Sequence, residues 1–60
     1  MNDSTHEQLK LTFSIYLKEI EEFEKKGKKV SAVRARKALQ DLKPLITARR
    51  QEIQEQKNDL

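Results

Sequence analysis

Two runs of apolar residues, each stepping by three and four, flank the only glycine in the chain, Gly27. In the first run, Leu9, Phe13, Tyr16, Ile20 and Phe23 are spaced 4, 3, 4, 3, and Leu17 widens the stripe. In the second, Ala32, Ala35, Leu39, Leu42, Ile46, Arg49 and Ile53 keep the same 3, 4 rhythm. Such spacing gives an α-helix one apolar face and does not suit the two-residue alternation of a half-buried strand. β-Branched and aromatic residues are also sparse, which disfavours a sheet. The sequence therefore predicts an all-α antiparallel two-helix hairpin. Helix 1 covers about 5–26, the turn 27–29 and helix 2 about 30–56.

The ends of these runs carry helix signals. Ser4 and Glu7 fit a capping box, in which a hydroxyl takes one orphan amide and the carboxylate reaches back. Asp3 and Glu7 suit the positive end of the helix dipole, and Lys25 and Lys26 suit its negative end. Gly27 tolerates the left-handed conformation that stops a helix. Ala32 and Ala35 permit close approach near the corner, while Arg49 interrupts the second stripe and must reach the edge or pair with a carboxylate. Met1, Asn2 and the polar stretch from Gln54 to Leu60 are expected to fray.

Pro44 is the residue least at home in a helix, because it removes an amide and costs about 3 kcal/mol in an interior position. The apolar pattern nevertheless runs past it without a slip. One helix 2, kinked at Pro44, is expected in preference to a third helix starting there.

Sixty residues form one domain, 1–60, and a chain of this length buries too little surface to be robust alone. Having no cysteine and a single histidine, it has neither disulfides nor a thiolate or imidazole metal site to reinforce it. Self-association is the remaining device. Leu11 and Ile15 lie opposite the helix 1 stripe and, with Val33 and Leu45, are the residues assigned to oligomerisation. The expected product is a homodimer or higher homo-oligomer, with a dimer favoured: a four-helix bundle or coiled-coil-like assembly. No apolar run is long enough to span a membrane and no secretion signal is recognisable, so a cytoplasmic location is expected.

The formal net charge of +3 conceals a strong asymmetry. Residues 1–24 carry a net −4, residues 25–40 a net +7 with no acid, and residues 41–60 balance. The positive block holds Lys25, Lys26, Lys28, Lys29, Arg34, Arg36 and Lys37. Beyond it, Lys43 and Arg50 continue a heptad series through Lys29, Arg36, Lys43, Arg50 and Lys57, one stripe along helix 2. Gln40, Thr47 and Gln54 lie one turn beyond successive members. Cations interleaved with uncharged hydrogen-bonding groups suit a phosphate backbone. No aromatic residue lies among them to stack on unpaired bases, which favours duplex DNA over single strands.

Nothing in the sequence forms a catalytic constellation. Ser4, Ser14 and Ser31 lack a His–Asp arrangement, and His6 sits in a first turn as a surface residue. Glu19, Glu21, Glu22 and Glu24 have no Glu-x-x-His partner motif, and read as a solvated acidic face that pairs with nearby lysines and keeps helix 1 off DNA. No enzyme activity, cofactor or metal is expected.

Residues 27–39, GKKVSAVRARKAL, resemble the small bacterial and phage histone-like nucleoproteins named after linker histone, the chlamydial type included. Gly27, Lys29, Ala32, Arg34, Ala35, Arg36, Lys37 and Ala38 carry the resemblance, whose most specific part is the Arg-Ala-Arg-Lys-Ala core. It implies DNA binding and nucleoid compaction carried by Arg34, Arg36 and Lys37. Pro44 departs from the family pattern, as does the lack of a long Lys- and Ala-rich tail within these residues; compaction would then rest on the hairpin and its oligomer. The sequence thus points to a histone-like protein that contacts double-stranded DNA through phosphates with little sequence preference, RNA being the alternative polyanion. The rival reading is a helical adaptor that binds a protein partner through its apolar face.

Overall fold

The computed structural model of the chain describes residues 4–59, which form two helices and no strand. Helix α1 spans Thr5–Lys26 and helix α2 spans Lys29–Asn58. They pack along one another as an antiparallel hairpin measuring 47 × 21 × 14 Å. The stretch from Gln54 to Asn58, expected to fray, is helical; Met1, Asn2, Asp3 and Leu60 lie outside the described residues.

Local chemistry explains the ends of α1. The Ser4 hydroxyl accepts a hydrogen bond from the Glu7 amide at 3.1 Å, one half of the expected capping box. The other half is replaced by an exposed ion pair, in which the Glu7 carboxylate lies 3.9 Å from Lys10 Nζ. At the far end Gly27 adopts φ 68° and ψ 23°, and its amide donates to the Phe23 carbonyl at 2.8 Å. This single bond from the residue after the cap closes a left-handed stop. A Cβ on Gly27 would meet nothing within 4 Å, so the backbone dihedral alone demands glycine.

α2 passes through Pro44 as one helix. Thirty helical residues span about 45 Å, which matches the longest dimension of the molecule. Pro44 and Gln40 are both exposed, so the Gln40 carbonyl, deprived of its helical donor, can be served by water.

The packed face of α2 differs from the expected stripe. Ser31, Ala35, Ala38 and Leu42 are buried, whereas Leu39, Ile46 and Ile53 stay 46–51% exposed. Small side chains at 31, 35 and 38 admit the closest approach of two helices, because interaxial distance follows side-chain size. α2 therefore turns its small residues inward and leaves its larger ones on the flank. On α1, Thr5, Leu9, Thr12, Tyr16 and Ile20 are half-buried, while Phe13 sits on the exposed flank with its ring centroid 6.0 Å from that of Tyr16. No large side chain is fully buried anywhere in the described residues.

Candidate nucleic-acid interface

All nine cations assigned to polyanion binding are exposed, but they divide into two groups by what they touch. At the corner, Lys25 lies 3.2 Å from Glu21, Lys26 3.5 Å from Glu22, and Lys28 3.2 Å from the other Glu22 oxygen. The hydrogen bond from Lys28, followed by the attraction of Lys26, holds the Glu22 carboxyl below the usual glutamate range despite partial desolvation. Lys37, four residues before Asp41, lies 3.7 Å from its carboxylate. These lysines are partly neutralised within the chain.

Lys29, Arg34, Arg36, Lys43 and Arg50 make no ion pair among the described residues. Four of them, Lys29, Arg36, Lys43 and Arg50, belong to the heptad stripe, whose fifth member Lys57 is likewise without an ion pair among the described residues, and they run along the outward side of a single continuous helix. A rise of 1.5 Å per residue sets successive members about 10 Å apart. Arg36, Lys37 and Lys43 line one shallow depression together with Val33, Leu39 and Gln40. Further along the helix Thr47, Arg50, Gln51 and Gln54 line a second. The Thr47 hydroxyl donates back to the Lys43 carbonyl at 3.3 Å, and Gln54 donates to Asn58 at 3.4 Å.

The trio Arg34, Arg36 and Lys37 does not gather at one point. A turn of 100° per residue puts Arg36 on the outward stripe, while Arg34 falls about 160° away from it towards the other flank with Asp41. At the start of α2, Lys28 caps the helix without a side-chain hydrogen bond and the first turn holds no acid. That end is left electropositive by its own dipole and by Lys29.

The residues assigned to oligomerisation also separate. Leu11 and Ile15 are 65% and 44% exposed on one flank of α1. Val33 opens onto the depression beside Arg36 and Lys37, and Leu45 is half-buried towards the inner side of α2.

Sequence reasoning missed a tie at the open end of the hairpin. Thr5 donates to Glu52 at 2.5 Å, and Arg49 donates to the other Glu52 oxygen at 3.0 Å. The Thr5 hydroxyl first, and then Arg49, hold the Glu52 carboxyl below the usual range. Arg49 thus meets its carboxylate one turn ahead on its own helix. The i, i+3 spacing of Arg49 and Glu52 was a readable signal, whereas Thr5 was not.

Among the described residues no group of three His, Cys, Asp or Glu side chains is placed to hold a metal ion. No helix there is long and apolar enough to cross a membrane.

The fold and site thus define a small all-α hairpin whose second helix carries an exposed cationic stripe. The chain belongs to the histone H1-like protein Hc1 family, which it matches over residues 3–59. The likeness seen in residues 27–39 is therefore one part of a match running through both helices. Neither a curated protein nor a solved structure matches the chain.

Proposed function

We propose that the protein binds the phosphate backbone of double-stranded DNA with little sequence preference and contributes to organising the nucleoid. The observation that carries this reading is the unpaired cation series Lys29, Arg36, Lys43 and Arg50, set on one side of α2 with no carboxylate among its members. Lys57, one further heptad on, continues the series as a fifth exposed cation without an ion pair among the described residues, whereas Arg34 lies on the other flank. The family match supports the same reading, since its members are histone-like. Phosphate contact by exposed Lys and Arg releases counterions, so affinity depends on salt more than on sequence. Five contacts give a slope of about −4.5 in log affinity against log salt, or roughly 500-fold weaker binding for a fourfold rise in salt.

The test is a titration of two unrelated duplexes of equal length at several salt concentrations. Near-equal affinities with a steep slope support the reading; a flat salt response or a strong preference for one duplex contradicts it. Structured RNA as competitor separates the two polyanions, and RNA that displaces duplex DNA at equal nucleotide concentration assigns the surface to RNA. The adaptor reading draws on the exposed apolar side chains of both helices. It predicts no binding to duplex DNA at near-physiological salt.

A further inference from the structure

One flank of the hairpin is apolar across both helices. Leu9, Phe13, Leu42 and Ile46 line a cleft between α1 and α2, with His6 and Lys10 at its edge. Leu39, Ile46 and Ile53 follow at intervals of seven along α2, and Leu17 extends the patch one turn past Phe13. Phe13, Leu17, Leu39, Ile46 and Ile53 are each 46–51% exposed. In a hairpin one helix layer deep, no further layer among the described residues covers such a flank.

We infer that a second copy of this chain covers this flank, and that the surface for DNA is made by the two copies together. Three observations favour a second copy as the occupant. The accessible surface is 5194 Å², whereas a compact monomer of 7.1 kDa exposes about 4,100 Å². The surplus, about 1,100 Å², covers the roughly 800 Å² that each partner contributes to a standard interface. The heptad line 39, 46, 53 is the pattern that lets helices of identical sequence mesh. Finally, no large side chain among the described residues is fully buried, so the core missing from one copy is the core that two would make.

The flank adjoins the cation stripe residue by residue. Arg36, Lys43 and Arg50 each precede Leu39, Ile46 and Ile53 by three positions, which makes each pair neighbours on the helix surface. Closing two flanks about a two-fold axis carries the stripe of each copy to the border of one shared interface. The five stripe cations of each chain, Lys29, Arg36, Lys43, Arg50 and Lys57, then become ten in the pair, arranged as two rows. The rows repel one another until a polyanion lies against them. Association and DNA binding are therefore coupled, each strengthening the other.

This inference rests on the DNA reading above, and the experiment separates the two. Light scattering gives the molar mass of the wild type, of L39E/I46E on the apolar flank and of L11E/I15E on the opposite flank of α1. The expected masses are twice 7.1 kDa, once 7.1 kDa and twice 7.1 kDa. Circular dichroism should show L39E/I46E still helical; the neutral L39Q/I46Q, which sets no carboxylate beside Arg36 and Lys43, should also have a mass of once 7.1 kDa, with the salt slope for duplex binding falling from about −9 to about −4.5. Because the chain lacks cysteine, Ile46→Cys and Leu11→Cys add a second test that does not depend on the charged variant folding. Ile46→Cys should cross-link two copies on oxidation at least tenfold faster than Leu11→Cys, and faster still with duplex present. A wild type of single mass that binds duplex with a slope near −4.5 overturns the inference and leaves the function standing. A doubled mass that survives L39E/I46E, or equal cross-linking at 11 and 46, also overturns it. Absence of duplex binding in every variant overturns the function and the shared surface together.

Discussion

Thr5 and Glu52, forty-seven residues apart, are joined by a 2.5 Å hydrogen bond that closes the open end of the hairpin. Gly27 closes the other end by a turn. Between them the helices are held by a modest face of Ser31, Ala35, Ala38 and Leu42. In so thin a core, polar ties at the ends matter to how firmly α1 lies on α2. Thr5→Val keeps the shape and removes the donor. It should lower Tm by roughly 2–5 °C and speed amide exchange in the first turns of α1 while leaving the corner unchanged. Hydrogen exchange followed residue by residue checks this; uniform loss of protection along α1 would assign the bond no local role.

Acid should loosen both ends. Glu22, bonded first by Lys28, and Glu52, bonded first by Thr5, have carboxyls held below the ordinary 4.5. A group whose folded value is depressed contributes stability above the unfolded value and loses it as pH falls through the folded one. Stability should thus be flat from neutral pH to about 5 and decline from about pH 4.5 downward. The double change E22Q/E52Q should flatten that decline. Thermal melts between pH 3 and 7 test it, and an unchanged acid slope in the double variant would remove these two groups from the account.

Gly27→Ala isolates a backbone cost. The site has open space for a methyl group, yet φ is 68°, which disfavours any residue with a Cβ. The expected loss is about 1–2 kcal/mol, measured by urea unfolding, with duplex affinity unchanged.

Pro44→Ala works in the opposite direction. It returns an amide to the Gln40 carbonyl within an exposed stretch of α2 and should stabilise by about 1–3 kcal/mol. A loss of stability would mean that Pro44 makes a favourable contribution that its exposed position does not show.

Much of the hairpin was legible because its signals are local. Ser4 as a cap, Gly27 as a stop and the 3, 4 spacing of each run are set by near neighbours in the chain. The packed face of α2 was not legible. The series 32, 35, 39, 42, 46 and the series 31, 35, 38, 42, 45 share Ala35 and Leu42, so periodicity alone fits both. Hydrophobicity favours the first, whereas close approach through Ser31 and Ala38 favours the second, and that choice depends on α1. The same rotation leaves Leu39, Ile46 and Ile53 on a flank beside the cations. The cation stripe was legible as a heptad, but its freedom from carboxylates was not. The pairing of the acidic face of α1 with nearby lysines was legible, and the structure joins Glu21 and Glu22 to Lys25, Lys26 and Lys28 at the corner, which shifts weight from the corner to α2.

That shift is the central claim, and two triple variants measure it directly. R36Q/K43Q/R50Q removes three unpaired charges from the stripe, while K25Q/K26Q/K28Q removes three that already face carboxylates. Duplex affinity should be followed against salt for each. The account predicts that the stripe variant reduces the salt slope by about 3 per chain and weakens binding to every duplex alike, with the corner variant staying close to wild type. Equal losses from the two variants, or a larger loss from the corner, would contradict it.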